Sequence, residues 1–434
     1  MSASDLAIVA ALVFAWGTLS ARLERFDVTA PIVFVVAGLL LTHGPLAPLG
    51  FVPTPELVKA LAEITLVLVL FSDASRVGLR DLRADWGLCL RLLGIGLPVT
   101  IGLGMLLALG LFNGMSAWLA LLVGAALAPT DAALGAGVMA NPAVPARIRR
   151  LLNVESGLND GIATPVVLVA IAGAATAEHA ASIGPGVAVA ELALGVLVGA
   201  VVGGAGGFVV NIARRRGWAE GGFAGSAVLA LAVCAYACAL ALHGNGFIAA
   251  FVGGLAYRLC GGRRGERLVP YVEETGALVS LLVWLAFGAV AVVPAMQGLT
   301  WQTVLYAVLS LTLIRMVPVA LSLAGAGLGR SAVAFVGWFG PRGLASVVFA
   351  LLALEDLGKP ARTVVSVIAF TVLLSVLAHG LTADPLAHRY GPRLGPAAGG
   401  DEHAGIPDMP ERRLIRRAPA QAYGTTEDAA RPEG

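Results

Sequence analysis

The sequence predicts an all-α membrane protein with about 13 transmembrane helices. Of its 434 residues, 58% are hydrophobic and only 13% are charged, and the mean hydropathy is +0.86. Apolar runs of about 20 residues, the length that spans a bilayer core, recur along most of the chain. Proline and glycine interrupt two of these runs. Soluble globular domains do not have this composition, so that class is excluded.

Charged or Pro/Gly-rich breaks separate the candidate spans. The spans cover about residues 4–20, 29–49, 55–74, 87–110, 117–139, 150–175, 184–213, 219–242, 245–260, 271–295, 301–326, 331–355 and 362–383. Within span 7, Gly195, Gly199, Gly203 and Gly207 recur at every fourth residue. This spacing predicts a helix face that contacts a neighbouring helix closely.

The distribution of arginine among the breaks predicts how the chain is oriented in the membrane. The breaks after spans 1, 3, 5, 7 and 9 are rich in arginine, whereas the even-numbered breaks have almost none; Lys359 and Arg362 in the twelfth break are exceptions. Because positive residues stay cytoplasmic, we expect a bacterial inner-membrane protein with its N-terminus outside and its C-terminus in the cytoplasm. Residues 384–434 are rich in Gly, Pro, Arg and acidic residues, which predicts a disordered cytoplasmic tail.

Charged residues inside the predicted spans are few, and lipid makes them costly, so they are the candidates for function. Span 6 contains Glu155, Ser156, Asn159 and Asp160. Ser156 and Asp160 are four residues apart, so they share a helix face and can present a hydroxyl and a carboxylate to one small ligand. Such oxygens suit a hard monovalent cation. A buried hydrogen-bond network between helices is the alternative interpretation.

Two spans contain helix-breaking sequences near their middle. Span 5 has Ala128-Pro129-Thr130-Asp131, and span 12 has Gly340-Pro341-Arg342-Gly343. Proline removes a backbone donor and disfavours helix at the preceding residue. Broken helices of this kind occur in inverted-repeat transporters, where their ends meet at the membrane midplane. We expect Asp131 to compensate exposed helix N-termini and Arg342 to compensate exposed C-termini.

Four further charged positions complete the set inside the spans. Arg315 lies in span 11 and Asp73 lies near the inner end of span 3. Lys59 and Glu63 are four residues apart on span 3, and this spacing predicts that they neutralise each other without a functional role.

These motifs resemble the monovalent cation/proton antiporters, in the electroneutral branch that includes the sodium/proton exchangers. Residues 155–160 are similar to the helix-6 signature of that branch, which has Glu, Ser, two variable positions, Asn and Asp. Thr130-Asp131 matches its first crossing helix, and residues 340–343 match the arginine-bearing segment of the second. The resemblance covers about residues 5–385.

The resemblance implies a role for each site residue. Asp160 would be the carboxylate that binds the cation or the proton, with Ser156 and the Thr130 carbonyl as further cation ligands. Asn159 occupies the position of a second aspartate in the electrogenic branch. Asp131 and Asp73 are further candidates at this site. Glu155 resembles an acid that pairs with the arginine of the second crossing helix, Arg342, and the residues leave Arg315 open as its partner.

The resemblance also implies a fold with inverted repeats and two crossing discontinuous helices. A core bundle of about residues 87–175 and 301–383 would move against a dimer scaffold of about residues 4–74 and 219–295. A linker helix at about 184–213 would join them. The expected protein is a homodimer that exchanges Na⁺, Li⁺ or K⁺ for H⁺, one for one, without a cofactor and without binding nucleic acid.

Other functions compete with this interpretation. A potassium channel would need a Thr-Val-Gly-Tyr-Gly filter, which the sequence lacks. An intramembrane aspartyl protease would need Gly-x-Gly-Asp, but the residue before Asp160 is Asn159. No enzymatic activity is therefore expected. A symporter that uses protons to drive uptake of a small solute remains the alternative.

Overall fold

A computed structural model describes residues 3–23, 28–47, 53–77, 79–135, 138–139, 141, 144–179, 185–219 and 222–390. Within these ranges, every long regular element is a helix. The helices are α1 Ala3–Leu23, α2 Ala30–His43, α3 Pro55–Arg76, α4 Leu79–Arg91, α5 Leu97–Leu111, α6 Ala117–Ala126, α7 Ala146–His179, α8 Pro185–Arg215, α9 Gly222–Ala241, α10 Gly246–Glu266, α11 Val269–Val290, α12 Val292–Gln297, α13 Trp301–Leu311, α14 Leu313–Ser322, α15 Arg330–Trp338, α16 Leu344–Leu357 and α17 Arg362–Tyr390. A π-helical turn, Leu92–Gly96, joins α4 to α5.

Many helices of this bundle are long and apolar enough to cross a membrane. In the part of the chain that the structure describes, eight stretches meet both criteria: Ala3–Leu23, Asp85–Leu111, Ala146–Ala177, Val189–Arg215, Phe223–Ala241, Val269–Val290, Trp301–Ser322 and Lys359–Ala383. The predicted class, an all-α membrane protein, is confirmed. The count of 13 spans stays a prediction.

Polar residues set the beginnings of several helices. The side chain of Thr54 accepts a hydrogen bond from the Leu57 amide at the start of α3, and Ser116 does the same at the start of α6. Asn245 caps α10 through the Ile248 amide, at 3.0 Å. Each side-chain oxygen satisfies an amide that has no partner inside its own helix, which fixes where the helix begins.

The glycine face of α8 packs on α10, as its spacing predicted. A Cβ added to Gly199 would lie 2.5 Å from the Ala249 carbonyl, and one on Gly207 would lie 2.8 Å from the Tyr257 carbonyl. Such distances are too short for any side chain, so only glycine allows the two backbones to approach this closely.

Both predicted helix interruptions are present. The one that follows α6 is called the first break, and the one between α15 and α16 is called the second break. Helix α6 ends at Ala126, before Pro129. Helix α15 ends at Trp338, and α16 begins at Leu344 beyond Pro341. The missing proline amide explains why neither helix continues through its motif.

Predicted span 11 is also interrupted, which the sequence did not indicate. It divides at Thr312, whose φ of −109° and ψ of −92° lie outside the helical region. The Thr312 hydroxyl donates to the Val308 carbonyl at 2.6 Å. Because a threonine side chain can compete for backbone hydrogen bonds, it can bend a helix without proline or glycine.

The boundary of the predicted tail at residue 384 is wrong, because α17 continues to Tyr390. Ala387 is fully buried, and Leu386 and Tyr390 pack beside it in a cluster that includes Phe335. This burial keeps the segment helical despite Pro385. Residues 391–434, to which the prediction of disorder also applies, lie outside the described residues.

Candidate functional site

The four signature residues of α7 are buried at one level of the bundle. Glu155, Ser156, Asn159 and Asp160 are each no more than 6% exposed. The Thr164 hydroxyl donates to the Asp160 carbonyl at 2.6 Å, one turn further along the helix. Placing two acids and two further polar side chains at this depth is costly unless they are hydrogen-bonded, paired or used for binding.

Thr130 lies at the centre of the hydrogen bonds between the first helix break and α7. Its Oγ1 is 2.8 Å from Oγ of Ser156, and Nδ2 of Asn159 donates to the same oxygen at 2.7 Å. The structure therefore brings together Thr130, Ser156 and Asn159, three of the residues that the sequence singled out. Asp160 is one turn from Ser156 on the same helix. The result is a group of buried oxygens next to a carboxylate.

Asp131 joins the two breaks. Its backbone amide donates to the Pro341 carbonyl at 2.8 Å, and its Oδ2 accepts from the Leu344 amide at 2.9 Å. Its Oδ1 accepts from the Ala133 amide at 2.7 Å. The carboxylate thus caps the N-terminus of α16, where a negative charge is favourable. Gly343 is required here, because a Cβ at that position would overlap the Asp131 carboxylate.

Arg342 caps the C-terminal end of α6, whereas Asp131 caps the N-terminal end of α16. The Arg342 side chain is fully buried, and its Nη1 donates to the carbonyls of Ala128 at 2.8 Å and Pro129 at 3.2 Å. Ser346 adds a hydrogen bond to the Ala126 carbonyl at 2.6 Å. The carbonyls that follow α6 therefore receive donors from the second break and from α16, as helix C-termini require.

Of the two arginines that the sequence left open as partners of Glu155, the structure has Arg315. Glu155 pairs with Arg315 of α14 through contacts of 2.5 Å and 2.9 Å between the two carboxylate oxygens and the two terminal guanidinium nitrogens. Both side chains are about 5% exposed or less. Nη1 of Arg342 donates instead to the carbonyls of Ala128 and Pro129 in the first break. The two-pronged geometry matches a carboxylate to a guanidinium.

Gly340 makes room for this arrangement. A Cβ at residue 340 would lie 2.5 Å from Nε of Arg315 and 2.9 Å from Cγ2 of Thr130. The glycine of the second break therefore allows Arg315 to pass to Glu155 beside Thr130.

Asp73 lies on α3, and it is 5% exposed. A Cβ added to Gly157 would be 3.8 Å from the Asp73 carbonyl, so α3 passes α7 beside Ser156. On α10, the ring of Phe251 occupies the space next to Gly161, which follows Asp160. Helices α3 and α10 thus border the α7 signature.

Lys59 and Glu63 do not form the ion pair that their spacing predicted. Nζ of Lys59 is 2.7 Å from Oδ1 of Asp356 at the end of α16, and Glu63 accepts a hydrogen bond from the Tyr236 hydroxyl at 3.2 Å. Their helical spacing predicted a local pair, but partners from other helices lie closer.

The sequence did not single out the polar residues that support the breaks. Besides Ser346, these are Ser375 and His379 on α17, both buried. Ser375 and His379 are four residues apart in the same predicted span. This pair was the signal in the sequence that could have identified them, because polar groups buried one turn apart need hydrogen-bond partners.

Comparison with known proteins identifies the family. The profile described as sodium/hydrogen exchanger, transmembrane, matches residues 8–389. An uncharacterised Na⁺/H⁺ exchanger of Mycobacterium tuberculosis is 31% identical over 220 residues, 49% of this chain and 37% of that protein. The K⁺/H⁺ antiporter NhaP2 of Shewanella sp. MR-4 is 26% identical over 368 residues, 82% of this chain and 62% of that protein. The chain therefore aligns with less than two thirds of each of these relatives.

A solved structure has the same fold. The sodium proton antiporter MjNhaP1 from Methanocaldococcus jannaschii superposes with a TM-score of 0.74 at 18% identity, covering 89% of this chain and 98% of that one. Together, the profile match over nearly the whole chain and the shared fold show that the chain belongs to the transmembrane sodium/hydrogen exchanger family.

Proposed function

We propose that this chain exchanges a monovalent cation for a proton across the bacterial inner membrane, one for one, at Asp160. The observation that carries the proposal is the group of buried oxygens on Thr130 and Ser156 beside this carboxylate. Asp160 binds either the proton or the cation. The cation is held by the Asp160 carboxylate, Oγ of Ser156 and the Thr130 carbonyl, which are the hard oxygen ligands that small cations prefer.

Competition between the proton and the cation for one carboxylate is sufficient for exchange. Burial disfavours the bare, charged carboxylate, because a desolvated ion costs several kcal/mol. Protonation or cation binding neutralises Asp160, so only the occupied site crosses the apolar barrier at low cost. Alternating access of this site to the two sides of the membrane then couples the two fluxes.

The neighbouring acids support a one-for-one exchange. The Asp131 carboxylate accepts hydrogen bonds from two backbone amides, and Glu155 is paired with Arg315. Each of these carboxylates already has protein partners, so neither needs a transported ion to balance it. Asn159 is a neutral amide that holds Thr130. Asp160 is then the group that changes occupancy, and the moving charge is the same in both directions.

The assembly follows from the same proposal. Residues 87–175 and 301–383 form a core that carries Asp160 and both breaks, and residues 4–74 and 219–295 form the scaffold of a homodimer, with residues 184–213 as the linker. Asp73 then belongs to the scaffold, and its backbone carbonyl lies where α3 passes Gly157. The N-terminus is outside and the C-terminus is cytoplasmic, in accord with the arginine distribution.

Exchange and its selectivity are tested in everted membrane vesicles with a pH-sensitive dye. Respiration acidifies the vesicles, and we expect added Na⁺ to discharge this proton gradient, with Li⁺ and K⁺ tested in separate titrations. Na⁺ is the favoured cation, although the names of the relatives include both Na⁺ and K⁺ exchange. A gradient that none of these cations discharges, but that an organic solute does, would establish the symporter instead.

Stoichiometry is tested in liposomes with a potential clamped by K⁺ and valinomycin. We expect the rate and the end point of Na⁺-driven proton flux to be the same at zero and at about 100 mV, where each net charge moved would gain roughly 2.3 kcal/mol. Asp73→Asn, which removes another buried carboxylate, should leave the flux equally independent of the potential. A flux that follows the potential would refute one-for-one exchange and leave cation/proton exchange intact.

A further inference from the structure

Helix α17 carries a buried polar pair that the proposed exchange mechanism does not use. Ser375 is fully buried and His379 is 3% exposed. They are one turn apart, so they lie on the same face of the helix. Buried hydroxyl and imidazole groups are costly unless they make hydrogen bonds, so their partners indicate what this face does.

The hydrogen-bond partners of Ser375 and His379 both flank or lie in the second break. The Arg342 amide donates to Oγ of Ser375 at 2.7 Å. Nε2 of His379 is 2.9 Å from the Trp338 carbonyl, at the last residue of α15. A carbonyl oxygen can only accept, so this contact is a hydrogen bond when Nε2 carries a hydrogen. The pair on α17 therefore holds the two ends of the break, Trp338 and Arg342.

The two side chains also contact each other. Nδ1 of His379 is 3.1 Å from Oγ of Ser375. Nδ1 also lies 2.8 Å from the Ser375 carbonyl, so each ring nitrogen of His379 faces a carbonyl oxygen. The Ser375 hydroxyl accepts from the Arg342 amide, and these contacts together join Arg342, Ser375, His379 and Trp338.

The position of Arg342 matters for the site. Its guanidinium donates to the carbonyls of Ala128 and Pro129, the two residues before Thr130. A shift of the Arg342 backbone would therefore be passed to the segment that carries the Thr130 carbonyl. Two buried contacts therefore link α17 to the segment before Thr130: Ser375 with the Arg342 amide, and the Arg342 guanidinium with the Ala128 and Pro129 carbonyls.

We propose that Ser375 and His379 are positioning residues of the exchange site. They fix the second break, so that Arg342 holds the carbonyls before Thr130 in the geometry that binds the cation. This inference rests on the proposed function for the identity of the bound ion. Its structural part, that α17 orders the first break through Arg342, does not depend on that function.

The test compares Ser375→Ala, His379→Ala and His379→Gln with Ser366→Ala, a buried serine on the same helix, as the matched control. In everted vesicles, we expect Ser375→Ala and His379→Ala to raise the KM for Na⁺ by about 3- to 10-fold, the range for loss of one buried hydrogen bond, with little change in maximal rate. His379→Gln should restore the KM, because the glutamine amide can donate to the Trp338 carbonyl as Nε2 does. The control should match the unmodified protein.

Amide hydrogen exchange provides a readout that does not require transport. We expect faster exchange of amides between residues 127 and 133 in Ser375→Ala than in Ser366→Ala. If the unmodified protein transports Na⁺ but both alanine variants keep its KM, the positioning role is refuted. If the unmodified protein transports no cation, the proposed function fails. Unchanged amide exchange at residues 127–133 would then refute the positioning role separately.

Discussion

Asp160→Asn is expected to abolish cation-driven proton movement. The amide has nearly the shape of the carboxylate but can neither release a proton nor neutralise a cation, so the exchange cycle cannot start from either side. Asp160→Ala should have the same effect. In everted vesicles, the dye signal on adding Na⁺ should fall to that of membranes without the protein.

Loss of activity must be separated from loss of folding. The expression level and the elution volume of each variant in size-exclusion chromatography should match those of the unmodified protein, because neither asparagine nor alanine is larger than aspartate. Glu355→Gln, an exposed carboxylate on α16, is the control and should retain full exchange. Substantial residual exchange in either Asp160 variant would show that another group binds the transported ions.

Breaking the Glu155–Arg315 pair is expected to produce the largest loss of stability. Removing one partner leaves the other charge buried between α7 and α14, and such losses are about 3 to 5 kcal/mol. Glu155→Ala and Arg315→Ala should each lower the midpoint of thermal unfolding strongly in detergent, as followed by tryptophan fluorescence. The double variant should be less damaged than the sum of the two single variants, since neither charge is then stranded.

The matched control is the same set of two single variants and one double variant, with Arg342 in place of Arg315. Arg342 donates to the carbonyls of Ala128 and Pro129, whereas the Glu155 carboxylate is held by Arg315. Glu155→Ala and Arg342→Ala should therefore combine more nearly additively than Glu155→Ala and Arg315→Ala. A larger coupling energy for Glu155 with Arg342 than with Arg315 would contradict the pairing observed in the structure.

Local signals in the sequence predicted the helix breaks well. Pro129 and Pro341 interrupt their helices because proline cannot donate a backbone hydrogen bond, and this requires no knowledge of neighbouring helices. The glycine face of α8 was predicted for a similar reason: four small residues on one side of a helix favour a close neighbour. The capping of α16 by Asp131 follows from charge placed beside a broken helix.

Partners across the bundle were predicted poorly. The spacing of Lys59 and Glu63 indicated a pair, but Asp356 lies 2.7 Å from Lys59 in the folded chain. His379 is next to the predicted end of its span, although it is buried against the second break. In both cases the deciding contact comes from a helix that is distant in sequence, and helical spacing carries no information about it.

The choice between Arg315 and Arg342 shows where the sequence stops being informative. Hydropathy and the motifs by themselves indicated that two arginines and Glu155 lie at membrane depth. Charges within apolar runs are costly and therefore few, so these residues stand out in the sequence. Which arginine meets Glu155 was decided only by the tertiary structure. The bend at Thr312 precedes Arg315, Gly340 leaves the space that Arg315 occupies, and the carbonyls beyond α6 engage Arg342. Pairing depends on distances of a few ångströms between helices far apart in the chain, and these distances are set by packing of the whole bundle.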